Sequence, residues 1–147
     1  MLNAQELVFE LLKPIVEPFG AALRPDLRMT GTLAPPLVTF TVRLGAAIND
    51  RGMESPTAWG ATLDLSWFHD SEQAVFDMAR ATYDAVHPWN NPFRGANAIV
   101  PGLGHATEVS DRSLPSLIAL QDLPGHRIVQ YSGGFDLNLH EATRSED

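Results

Sequence analysis

The sequence predicts an α+β domain, and three observations carry the prediction. Two stretches, 37–44 and 59–68, alternate apolar and polar residues; the stretch 127–140 does the same over a greater length; and apolar residues recur at helical spacing near the start of the chain and again at 71–87. One domain is expected over residues 1–140, with 141–147 as a polar tail, because 147 residues can bury roughly 68–70% of the surface their unfolded form exposes.

The elements follow in order. Asn3 with Glu6 forms a capping box, and Leu7, Val8, Leu11, Leu12 and Ile15 hold helical spacing, so a helix is predicted over 4–13 with Pro14 as its stop. A loop rich in Gly and Pro fills 20–36, with a short extended piece at 22–24. In 37–44, Val38, Phe40, Val42 and Leu44 share one face and Thr39, Thr41 and Arg43 the other. A polar connection at 45–56 leads to 59–68, where Ala61, Leu63, Leu65 and Trp67 oppose Thr62, Asp64 and Ser66; the two strands are most simply an antiparallel pair. Asp70 with Gln73 gives a second capping signature, and Val75, Met78, Ala79, Thr82 and Val86 mark a helix that stops at Pro88.

An irregular excursion is expected at 89–104, then a short strand at 106–110. Two prolines in 114–125 argue for a connection there. The last strand has Val129, Tyr131, Gly133, Phe135, Leu137 and Leu139 on one face, and Gln130, Ser132, Asp136, Asn138 and His140 on the other. A two-residue turn at Gly133-Gly134 would pair Ser132 with Phe135 and mix the faces, whereas a three-residue loop over 132–134 keeps them in phase. One continuous strand with a bend or bulge at the glycines is the preferred reading.

The composition constrains function. Eighteen acidic against ten basic residues leave a net charge of −8, with Lys13 the single lysine, which opposes binding to nucleic acid through its phosphates. The absence of cysteine excludes disulfides and thiolate metal sites. Residues 1–20 lack a basic n-region and carry Glu6, Glu10 and Glu17, so neither a secretory signal nor a membrane span is read there and a cytoplasmic product is expected.

No motif for catalysis, metal or cofactor is found. The five histidines show no metal-ligand spacing; His69 and His87 sit at element boundaries, and a spatial pairing such as His105 with Asp111 stays open. Gly102-Leu103-Gly104 lacks the third glycine and following helix of a phosphate loop. The protein is therefore read as no enzyme, without cofactors. Trp67 and Tyr131 belong to apolar strand faces, while Phe68, Trp89 and Phe93 are the better surface anchors for a partner protein. The candidate interface comprises Asn49, Asp50, Arg51, Met53 and Glu54 in one loop and Trp89, Asn90, Phe93 and Arg94 in the other.

The ordered features resemble the tail terminator (tail completion) proteins of long-tailed, non-contractile bacteriophages, especially those of actinobacteria. The resemblance runs from about residue 3 to 140 and is carried by the opening helix, the pair 36–44 and 61–67, the helix 71–87, the Glu108-Val109-Ser110-Asp111 segment and the closing strand. It implies a mixed sheet with the N-terminal and central helices on one face. It further implies a homohexameric ring in the virion that caps the tail tube, stops its polymerisation and meets the head-completion or neck protein, with DNA passing through unbound. The loops 45–56 and 89–104 have no counterpart in that pattern and leave a neighbouring neck role open. Two other readings compete: a small ligand-binding or enzymatic α+β domain whose sheet and central helix enclose an aromatic pocket, and, least supported by the charge, a nucleic-acid-binding module.

Overall fold

The computed structural model describes residues 2–25, 36–48, 58–90, 99–123 and 126–142. Helix α1 (Ala4–Val16) leads through a 3-10 turn (Glu17–Phe19) to β1 (Ala22–Pro25), β2 (Leu37–Ala47) and β3 (Ala58–His69). Helix α2 (Glu72–Val86) and a second 3-10 turn (His87–Asn90) follow, then β4 (Ile99–Val100), β5 (Gly104–Leu123) and β6 (His126–Glu141). All strands join one six-stranded sheet of order β1-β2-β3-β6-β5-β4, antiparallel except for β1 against β2. The fold is the α+β arrangement read from the sequence: one mixed sheet carrying an N-terminal and a central helix.

The central helix begins one residue later than its capping signature suggests. Ser71, not Asp70, is the N-cap: its backbone is extended and its hydroxyl accepts from the Ala74 N–H at 3.1 Å. In α1 the expected cap holds, with Asn3 Oδ1 accepting from the Glu6 N–H at 3.0 Å. Pro14, expected to stop this helix, lies inside it. In the last turn a proline forfeits little beyond a single bond to the carbonyl four residues back, and continuing the helix carries Val16 into the core. The chain then reverses at Gly20, whose φ of 66° is left-handed.

Burial follows the predicted faces along β3 and β6, whereas in β2 Thr39 of the expected polar face is buried and Leu44 of the expected apolar face is exposed. Val38, Phe40, Leu63, Leu65, Trp67, Val129, Phe135, Leu137 and Leu139 form one cluster with Leu7, Val8, Leu11 and Leu12 of α1 and Val75, Met78, Ala79 and Val86 of α2. At about 1.5–3 kcal/mol for each fully buried large side chain, this cluster is the main favourable contribution to folding. Within it, Trp67 Nε1 donates to Thr82 Oγ1 at 3.1 Å, and Thr82 in turn donates to the Met78 carbonyl at 2.8 Å.

The main departure is β5. The expected short strand and connection are one 20-residue strand that pairs along β6 as far as Leu123 opposite His126. Among the described residues β4 covers only Gly104 and His105, so the rest of β5 is a sheet edge, and Pro115 falls in the register shift between Ser113 and Ser116, where it takes no ladder pair. Strand β5 spends 20 residues where β6 spends 16, and four register shifts, all with the surplus on β5, absorb the difference. Such bulges bend and coil a strand. The bulges thus lie opposite Gly133 and Gly134 and on either side of them, while β6 runs unbroken against β3 from His140 to Val129.

Candidate functional site

The two glycines of β6 mark where three elements converge. A Cβ on Gly133 would collide with the Tyr83 hydroxyl of α2, and one on Gly134 would meet Asp64 Oδ1 and the Leu63 carbonyl at 2.9 Å. Their bareness serves close approach from both faces. On the helix side the Tyr83 hydroxyl donates to the Ser113 carbonyl and accepts from the Gly134 N–H at 3.1 Å. Ser113 and Gly134 are register partners, so the phenol acts as a rung between β5 and β6. Burial pushes the Tyr83 phenol up to about 12; the Gly134 N–H pulls the other way, and the charge of Asp111 adds to the rise. A phenol that weak in acidity, with its oxygen engaged twice, fastens α2 to the sheet rather than moving protons at neutral pH.

On the opposite face Asp64 of β3 gathers Arg112 of β5 at 2.6 Å and Arg43 of β2 at 3.4 Å, and Arg112 reaches it over Gly134. Beside them Ser66 and Ser132 share a hydrogen bond of 2.9 Å. This face is hydroxyl-rich and carries charges of both signs.

The histidines are spread rather than convergent. His87, the C-cap of α2, lies 2.7 Å from Asp111, so Asp111 pairs with His87 and not with His105. The His105 ring instead stacks on His140 at 4.4 Å, with His140 Nε2 at 2.8 Å from the Thr107 hydroxyl. His69 sits against Asp70. Asn138 donates to Glu108 at 2.8 Å, and Glu108 occupies the first register shift with a left-handed φ of 53°. Among the described residues no group of three or more His, Asp or Glu could hold a metal ion. No helix there is long and apolar enough to cross a membrane.

Two of the predicted surface anchors are corrected. Phe68 is 7% exposed and Trp89 is 3% exposed. Phe68 pairs with Leu37 across β3 and β2, and the 3-10 turn after α2 folds Trp89 back into the core cluster. Of the remaining interface candidates, Asn90 ends that turn, while Asn49, Asp50, Arg51, Met53, Glu54, Phe93 and Arg94 lie outside the described residues.

The aromatic pocket of the competing reading meets a filled interior, since Trp67, Met78 and Phe135 occupy the space between α2 and the sheet. Two open clefts lie elsewhere among the described residues. One of about 640 Å³ runs between the C-terminal halves of α1 and α2, lined mostly by apolar side chains, with Glu10 its one charged residue. Another, of about 710 Å³, lies along the ends of β2 and β3 near Gly45 and Gly60.

No family model matches the chain, and no curated protein matches it either. Among solved structures the chain is similar to one in the virion of a native gene transfer agent particle, at 14% identity and a TM-score of 0.50. The match covers 93% of this chain and 94% of that one, so the fold is shared over nearly its whole length. A second solved chain, 13% identical with a TM-score of 0.41 over 92% and 96% of the two chains, is too distant to bear on the fold.

Proposed function

We propose that this chain is a structural virion protein, and specifically a tail terminator: copies form a ring, expected to be a hexamer, that caps the tail tube and stops its growth. The observation that carries the reading is the full-length likeness of fold to a chain of a gene transfer agent virion. The order of elements named for the tail terminator resemblance agrees with it, since helix, strand pair, helix and long closing strand stand in that sequence. The best-built polar groups support an architectural role as well, because Tyr83, Thr82 and Asp64 are engaged in joining elements.

In this reading the partners are further copies of the chain, the tail tube protein and a head-completion or neck protein. The loops holding Asn49 to Glu54 and Phe93 with Arg94 contribute contacts at the ring faces. A net charge of −8 suits a passage through which DNA slides without being held. The test is to polymerise tail tubes with and without the purified chain. Tubes that stop growing, with added density at one end, are the expected result; tubes that lengthen as before would refute the assignment.

A further inference from the structure

We draw no further inference here: the strongest candidate, the cross-strand side-chain cluster of His105 and His140 where β5 meets the end of β6, stacks its two rings in parallel at 4.4 Å and gathers no third His, Asp or Glu among the described residues, so nothing in the structure shows what it would bind.

Discussion

The Tyr83 phenol occupies the space that a side chain on Gly133 would need, and its hydroxyl also accepts from the neighbouring Gly134 N–H. Helix and sheet are thus joined through a missing Cβ. Gly133→Ala should force the phenol out and destabilise the fold by about 1–3 kcal/mol, in the range of overpacking changes. Tyr83→Phe should cost about 1–3 kcal/mol by leaving the Ser113 carbonyl and Gly134 N–H without their partner. The two share one cause, so the double variant is expected to be less destabilised than the sum. Urea denaturation of the four proteins measures the coupling.

The same contact predicts an alkaline limit. The phenol of Tyr83 is raised from 10.0 to about 12 in the fold, chiefly by burial. Its contribution to stability is therefore fully present below pH 10 and is lost as the pH rises through about 12. Tyr131 is also raised, by burial first and then by its hydrogen bond to Glu72. Tyrosinate absorbance in Tyr131→Phe, which leaves Tyr83 alone, should rise near pH 12 in the folded chain and near pH 10 in denaturant. Coincident curves would contradict the buried rung.

Inside the core, Thr82→Val removes the acceptor of the Trp67 indole N–H while nearly conserving volume. The unsatisfied donor should cost about 1–3 kcal/mol. Thermal unfolding monitored by near-UV circular dichroism reports on both the loss and the packing around Trp67.

The caps offer a sharper comparison. Asn3→Ala and Ser71→Ala should each cost about 1 kcal/mol, whereas Asp70→Ala should have little effect, since Ser71 supplies the cap oxygen. Equal losses at Asp70 and Ser71 in chemical denaturation would place the start of α2 differently.

Much of this fold is legible in the sequence because β3 and β6 bury alternate residues, and a period of two shows through directly; in β2 it is blurred, with Thr39 buried and Leu44 exposed. The misreadings share a cause, which is that their reasons lie in residues far along the chain. Pro115 argues against a strand only if the strand has neighbours on both sides, and the edge position of β5 is set by the sheet order, not by local sequence. Asp70 and Ser71 are both good cap residues, and Gln73 three positions beyond Asp70 points to Asp70, although Ser71 supplies the cap oxygen. Phe68 and Trp89 read as surface residues because the Leu37 partner and the turn that folds Trp89 inward are tertiary facts. Gly133-Gly134 is a visible signal of a special place, and it is one, although the surplus residues are on the opposite strand. The sequence points to two loops as candidate interface, and the exposure of Leu114, Leu117 and Ile118 on β5 goes with bulges that no alternation pattern reveals.

Assembly of this chain into a closed ring is tested most directly by negative-stain imaging of the purified protein. Ring-shaped particles with six-fold symmetry and a central opening are expected. Fields of single globules, or open filaments without closed rings, would contradict the ring.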